Sequence, residues 1–157
     1  MIVDMDMSMN MNMDEKYMRM ALDEAMAALE ADEVPIGAVV VTPRGMVAGR
    51  GHNLTEALGD VSAHAEMQAL TAAASALGGK YLQGCTLYVT VEPCLMCAGA
   101  IGWAQVSRVV FGAADAKRGY RSFLGGRSPF HPRATVTEGV LGEECGALMR
   151  EFFRRKR

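Results

Sequence analysis

The stretch CTLYVTVEPCLMCAGAIGWAQVSRVVFGA, residues 85–113, decides the fold of this chain. Its first eight residues are mostly β-branched, aromatic or apolar, which predicts a buried strand. Pro93 is favoured at the start of a helix, so residues 94–105 are predicted to be helical. The last seven residues, SRVVFGA, predict a second strand. Because a strand–helix–strand connection places its strands side by side, these two strands are expected to be parallel in one sheet.

The segments on either side extend this unit into an α/β protein. Upstream, IGAVVVT and MVAGRGH are joined by PRG, which predicts an antiparallel hairpin, and a helix is predicted from His64 to the Gly78-Gly79 pair. Downstream, ATVTEG predicts a short fifth strand and GEECGALMREFFRRKR a terminal helix. Strands that alternate with helices predict a three-layer α/β/α sandwich around a mixed central sheet of about five strands.

The N-terminal end differs in composition from the rest of the chain. Residues 1–13 alternate Met with small polar residues that are poor strand formers, so we expect a disordered Met-rich tail. Asp14 then offers an N-cap for a first helix over the residues that follow it. No linker or repeat divides the remainder, so residues 14–157 are predicted to form a single domain.

Composition and targeting signals indicate a soluble cytoplasmic protein. Half of the 157 residues are hydrophobic and 22% are charged, and no apolar run is long enough to span a membrane. The acidic N-terminus lacks the basic and apolar regions of a signal peptide. Because cytosolic chains seldom form disulfide frameworks, the four cysteines point to metal binding, catalysis or buried thiols.

Charge is unevenly distributed although the net charge is only −2. Residues 1–66 carry 12 acidic and 4 basic side chains, whereas residues 108–157 carry 11 basic and 5 acidic ones. Such an asymmetry is a recognised hint of contact with a polyanion. Solvated surfaces of opposite sign would give the same count, so both interpretations stay open.

Cys94 and Cys97 are spaced so that both thiols project from one face of a predicted helix start. The positive end of the helix dipole favours thiolates there. The pair alone is compatible with a redox pair, half of a structural zinc site, half of a catalytic zinc site or two buried thiols. Cys85 and Cys145 have no close partner in sequence and are expected to be buried and inert.

The segment His64-Ala65-Glu66 favours the catalytic zinc site among these interpretations. His64 begins another predicted helix at the same edge of the sheet, so its imidazole can join the two thiolates as a third ligand. Three protein ligands leave one tetrahedral position for water, which is typical of a catalytic zinc. Glu66, two residues further on, is then suited to carry protons without binding the metal. The order His-x-Glu followed by Pro-Cys-x-x-Cys is the signature of zinc-dependent nucleobase deaminases.

The chain resembles the cytidine-deaminase-like superfamily and, within it, the bacterial tRNA adenosine deaminases. The resemblance runs from about Tyr17 to Arg155 and is carried by EVPIGAVVV, GHN, AHAE, LYVTVEPCLMCAGAI, RVVFGAADAKRG and TEGVLGEEC. It implies one Zn²⁺ per subunit and a homodimer. The residues it implies at the site are the metal ligands His64, Cys94 and Cys97, the proton-transferring Glu66, and the substrate-binding Asn53, Ala65, Asp115 and Lys117.

The function implied by the resemblance is hydrolytic deamination of adenosine to inosine at the wobble position of a tRNA anticodon loop. The segment after Lys117 is shorter than in that family and lacks its Asn-His-Arg, which favours an alternative, deamination of a free nucleobase such as guanine or cytosine. A third hypothesis is a non-catalytic zinc or redox module, in which Glu66 would have no use. The expected partner is therefore a tRNA anticodon stem-loop or a free base.

Overall fold

Five strands form one mixed sheet in the computed structural model of the protein. They are β1 (Gly37–Val41), β2 (Val47–His52), β3 (Thr86–Val91), β4 (Arg108–Ala113) and β5 (Thr135–Glu138), in the order β2-β1-β3-β4-β5. Strand β1 is antiparallel to both β2 and β3, whereas β4 is parallel to both β3 and β5. The predicted hairpin and the predicted parallel pair across the cysteine helix are therefore both confirmed.

The structure describes the backbone of residues 2–157 and side chains from Met13 onward. Its helices are α1 (Ile2–Glu30), α2 (Thr55–Leu58), α3 (Ala65–Leu77), α4 (Leu95–Trp103), α5 (Arg121–Leu124) and α6 (Gly142–Arg155). Helices α2 and α5 are single turns that the sequence did not predict, because a helix of four residues is too short to show a hydrophobic period. The tail predicted for residues 1–13 lies almost wholly outside the described side chains, so it and the boundary of the domain remain predictions.

One face of the sheet packs against α3 and α4. Leu87 and Val89 of β3 lie in this cluster with Ala69 and Leu70 of α3 and Ile101 of α4. Alternate residues of a strand point to opposite faces, and accordingly Tyr88 points the other way. These contacts make α3 and α4 one outer layer of the molecule.

The other face of the sheet packs against α1 and α6. Met18 and Leu22 of α1 and Cys145 of α6 meet Tyr88 and Val110 of the two central strands. With helices against both faces, the predicted three-layer α/β/α sandwich is confirmed. Within residues 2–157, no helix combines the length and the apolar character required to cross a membrane.

Two glycines of β2 set the position of α3. A Cβ atom at Gly49 would overlap the backbone oxygen of Ala69, and one at Gly51 would lie 2.6 Å from the oxygen of Ala65. Only glycine allows this close approach of helix to sheet. Because Gly51 faces the first turn of α3, the start of that helix is held at the edge where β3 ends.

Asp14 does not begin a helix, so the predicted N-cap is wrong. It lies inside α1, where its carboxylate accepts hydrogen bonds of 2.6 and 2.7 Å from both terminal nitrogens of Arg108 and one of 2.8 Å from the hydroxyl of Tyr88. Arg108 also donates to the hydroxyl of Thr137 on β5, at 3.0 Å. Burial, followed by the hydrogen bond to Asp14, raises the pKa of Tyr88. The carboxylate thus connects α1 directly to β3 and β4, and through Arg108 to β5.

Candidate metal centre and active site

Three potential metal ligands converge at the edge of the sheet where β3 ends. His64 and Cys94 are the residues immediately before α3 and α4, both with extended backbone, and Cys97 lies in the first turn of α4. The Nδ1 atom of His64 lies 3.5 Å from Sγ of Cys94 and 3.4 Å from Sγ of Cys97. The predicted convergence of two helix starts is what the structure shows.

The spacing of these atoms fits a zinc ion. With Zn–S near 2.3 Å and Zn–N near 2.0 Å, a tetrahedral centre places an imidazole nitrogen and a thiolate sulfur about 3.5 Å apart. The two distances from His64 are within about 0.2 Å of that value, and all three ligand atoms lie within 4.8 Å of one another. The cluster contains three residues in the described part of the chain, which leaves one of four positions for a non-protein ligand.

The two thiols of the site are electrostatically different. The hydrogen bond from Cys97, followed by that from His64, lowers the pKa of Cys94 to about 4 against the opposing effect of burial. In turn, the contact of Cys97 with Cys94 raises the pKa of Cys97, and the contact of His64 with Cys94 raises the pKa of His64. These contacts favour the thiolate form of Cys94, which is the form that binds a metal. By contrast, burial raises the thiol pKa of Cys85 and Cys145, as expected for inert buried cysteines.

Glu66 is a buried carboxyl group next to the cluster. It is 3% exposed, lies in the first turn of α3 and is close enough to the thiol of Cys97 to raise the pKa of that thiol. Burial raises its pKa to about 7. A carboxyl group with such a pKa holds or releases a proton readily at neutral pH, which is the property of a general acid–base group.

Asn53 and His64 stand at the two ends of one closed loop. The amide of Leu54 donates to the oxygen of Ala63 at 2.9 Å, which brings the ends of the loop together. Asn53 is 6% exposed, and its Oδ1 accepts a hydrogen bond of 3.3 Å from the amide of Thr55. Ala65 is 1% exposed with its methyl group in the core, so in the free protein only its backbone is available to a substrate.

Glu33 is a buried acidic residue that sequence reasoning missed. It is 2% exposed and accepts hydrogen bonds from the backbone amides of Glu56 at 2.9 Å and Ala57 at 2.7 Å. The carboxylate thereby binds the N-terminal end of α2, where amides lack partners inside the helix. This contact ties the loop between Asn53 and His64 to the end of α1. No sequence signal links residues so far apart in the chain.

The segment after β4 carries Asp115 and Lys117 to the same edge of the sheet. The carboxylate of Asp115 accepts hydrogen bonds from the amides of Lys117 at 3.2 Å and Arg118 at 3.0 Å, which closes a turn. The amide of Tyr120 donates to the oxygen of Pro93 at 2.9 Å. The predicted substrate-binding pair therefore lies next to the residues that precede Cys94.

A cleft of about 1220 Å³ opens between α6 and the ends of β4 and β5. Its floor includes Phe111, Met149 and Phe153. Six basic side chains line it, namely Lys117, Arg118, Arg150, Arg154, Lys156 and Arg157. No metal ligand is among its described lining residues, but Asp115 and Lys117 connect the cleft to the edge that carries the metal cluster. Six of the eleven basic side chains of residues 108–157 thus line one cleft.

Comparison with known proteins places this geometry in a family. The model of the cytidine and deoxycytidylate deaminase zinc-binding region matches residues 11–113. A tRNA-specific adenosine deaminase of Bacillus subtilis is 48% identical over 147 residues, which are 92% of this chain and 91% of that protein. A tRNA-specific adenosine deaminase of Agrobacterium fabrum is 44% identical over 146 residues, 90% of this chain and 94% of that protein.

Solved structures agree with these matches. A structure from studies of A-to-I editing by tRNA:A34 deaminases is 42% identical, with a TM-score of 0.78 over 85% of this chain and 98% of the other. A guanine deaminase from Nitrosomonas europaea is 30% identical, with a TM-score of 0.74 over 88% of this chain and 83% of the other. The adenosine-editing proteins are therefore the more similar of these two groups. The chain belongs to the cytidine and deoxycytidylate deaminase family of zinc-binding enzymes.

Proposed function

We propose that this protein is a zinc-dependent hydrolase that deaminates adenosine to inosine at the wobble position of a tRNA anticodon loop. The observation that carries the proposal is the buried Glu66 beside a cluster of three metal ligands. A structural zinc site has four protein ligands and needs no acid–base group, whereas a hydrolytic site needs an open position and a proton carrier. Close similarity to tRNA-specific adenosine deaminases over most of the chain supports the choice of substrate.

In this proposal His64, Cys94 and Cys97 hold the zinc ion. When bound, zinc supplies a Lewis acid that makes water nucleophilic near neutral pH. Glu66 takes one proton from the attacking water and delivers it to the purine ring nitrogen, and then passes the second proton of that water, from the hydroxyl group now on C6, to the departing amine. The sum is adenosine and water converted to inosine and ammonia. Burial raises the pKa of Glu66 to about 7, so its carboxyl group can both accept and donate a proton near neutral pH.

The remaining site residues hold the RNA. Asn53 presents a buried side-chain amide whose Oδ1 is already fixed by Thr55, and such a preset amide suits recognition of a flipped base. Asp115 and Lys117 border the basic cleft, whose arginine and lysine side chains suit RNA phosphates. Ala65 contributes its backbone, since its methyl group is in the core.

The competing function is deamination of a free base such as guanine or cytosine, which the 30% identity to a guanine deaminase keeps as a second candidate. The test is to load the protein with zinc and measure inosine and ammonia formation from a tRNA with an ACG anticodon, and ammonia release from free guanine, cytosine and adenine. We expect turnover of the tRNA, with a KM that rises steeply with salt because phosphates contribute to binding. Turnover of a free base with none of the tRNA would overturn the proposal in favour of the second candidate.

We also propose that the protein works as a homodimer in the cytoplasm. Helix α4, which carries Cys97, leaves Leu95, Met96 and Trp103 exposed, and Trp103 is 84% exposed. A second copy of this surface would cover these side chains and stand beside the metal cluster. Sedimentation should give the mass of a dimer, and Trp103→Arg should shift it towards the monomer. The cytoplasmic location is supported by relatives that act on tRNA.

A further inference from the structure

Glu92 is a buried carboxylate placed just before the cysteine ligands. It follows β3, precedes the Pro93-Cys94 pair and is 5% exposed. Its Oε1 accepts hydrogen bonds from the amide of Asp115 at 3.1 Å and from Nη2 of Arg121 at 2.9 Å, and its Oε2 accepts one from the amide of Arg121 at 3.2 Å. All three donors belong to the segment after β4, so one carboxylate fixes that segment from both of its ends.

Arg121 extends the network to β5. Its Nη1 donates to the carboxylate of Glu138, while its guanidinium lies over the ring of Phe111 at 5.0 Å from the centroid. The planar guanidinium has donors on separate edges, so it can bind two carboxylates in fixed directions, which a lysine cannot do. Arg121 therefore connects the end of β3, the segment after β4 and the end of β5.

The turn at residues 115–119 rests directly on this network. The amide of Gly119 donates to the oxygen of Asp115 at 2.8 Å. A Cβ atom at Gly119 would overlap the Glu92 carboxylate, so the turn and the carboxylate are in direct contact. Gly119 also forms a bridge with Cys94. The position of the turn is thus set relative to a metal ligand through contacts that the free protein already makes.

We propose that Glu92 and Arg121 are positioning residues for the RNA substrate. They hold the turn at residues 115–119, with Asp115 and Lys117, at a fixed place relative to Cys94, so that the nucleotide beside the target base meets a preformed surface. This inference rests on the proposed function, because the contact of the turn with RNA belongs to it. Neither Glu92 nor Arg121 touches the reacting atoms; both act through the turn.

The test uses Arg121→Met in the zinc-loaded full chain, with a tRNA carrying an ACG anticodon as substrate. A loosened turn must be ordered at each binding event, so we expect KM to rise about tenfold while kcat stays within about twofold. Arg121→Lys should restore part of the loss, since it keeps the charge without the fork. Glu138→Gln should have a smaller effect, because it leaves the contact with Glu92 intact.

The matched control is Arg19→Met. Arg19 also donates two hydrogen bonds to one carboxylate, that of Glu144 at 3.0 and 3.2 Å, but it joins α1 to α6 away from the metal cluster. Its loss should leave KM and kcat unchanged. An equal rise in KM for Arg19→Met would mean that loss of surface positive charge, not loss of position, explains the result for Arg121, and would overturn the proposal.

Hydrogen exchange gives a second readout that needs no activity. In Arg121→Met the amides of Asp115 and of residue 121 should exchange faster, while the zinc content stays at that of the unaltered protein. An unchanged KM overturns the proposal, as does a loss of zinc or a fall in kcat alone, which would assign the network to the metal site. If the unaltered protein forms no inosine, the proposed function fails, and the exchange rates alone decide whether the network holds the turn.

Discussion

Asp14 and Glu92 are both buried carboxylates bound by an arginine, but Asp14 packs against one face of the sheet and Glu92 lies at the edge where β3 ends. Asp14 lies within the layer between the sheet and the α1 and α6 helices, where its partners are the side chains of Arg108 and Tyr88. Glu92 lies at the edge next to the metal cluster, where two of its three hydrogen bonds come from backbone amides. The same type of ion pair therefore joins packed layers at Asp14 and orders a surface turn at Glu92.

Substitutions at the two sites are therefore expected to have different effects, on stability at Asp14 and on substrate binding at Glu92. Removing Asp14 leaves Arg108 without its bidentate partner inside a packed layer, so the free energy of unfolding falls. Loosening the Glu92 network frees a turn that faces solvent, so substrate binding changes more than stability. Variants in which stability and activity are measured separately can test this difference.

The largest effect is expected for Glu66→Gln, which removes the proposed proton carrier from the edge of the sheet. General acid–base groups contribute about 10²- to 10⁴-fold to rate, so kcat should fall by at least about 100-fold. Zinc content, measured by elemental analysis, and the thermal midpoint should be retained, because glutamine has nearly the same shape. Undiminished inosine formation by this variant would refute the role of Glu66.

Next in size is Asp14→Ala, which breaks the network inside the packed layer. Breaking a buried pair costs about 3–5 kcal/mol, and because the Arg108 side chain is 30% exposed and can be hydrated, about 2–3 kcal/mol is expected here. Urea unfolding measures this loss, and kcat of the folded protein should be unchanged. The exposed neighbour Glu15→Ala is the control. A large fall in kcat with normal stability would break the comparison.

A smaller effect is expected for Glu33→Gln, which weakens the link between α1 and the loop that ends at His64. The glutamine oxygen replaces two acceptor oxygens, so one amide of α2 loses its partner, at a cost of about 1–2 kcal/mol. Urea unfolding should register this loss, and KM should rise because Asn53 begins the same loop. Glu30→Gln, an exposed acid at the end of α1, should change neither quantity. Equal effects of both variants would contradict the assignment to α2.

The smallest effect is expected for Arg19→Met, which removes an exposed ion pair between α1 and α6. Both side chains of the Arg19–Glu144 pair are more than half exposed, so water replaces the lost hydrogen bonds. The midpoint of urea unfolding should not change measurably at moderate salt. A clear loss of stability would mean that exposure is a poor guide to the worth of the arginine pairs in this protein.

Local patterns predicted much of the fold and the metal cluster. The strands and long helices follow from hydrophobic period and residue type, which act over a few residues. His64, Cys94 and Cys97 could be identified because each lies at the start of a predicted helix. The spacing within each motif then indicates which side chains point the same way. The single turns α2 and α5 were missed because four residues carry no period.

The three layers, the residue types of the candidate metal ligands and the nearby carboxyl group therefore follow from the amino-acid sequence. The pairing of buried acids with their donors becomes visible only in the folded protein. Asp14 meets Arg108 across 94 positions, Glu92 meets Arg121 across 29 and Glu33 meets Glu56 across 23. No local propensity encodes such pairs, because they arise when packing of the apolar layers removes these carboxylates from water and each must then find a donor.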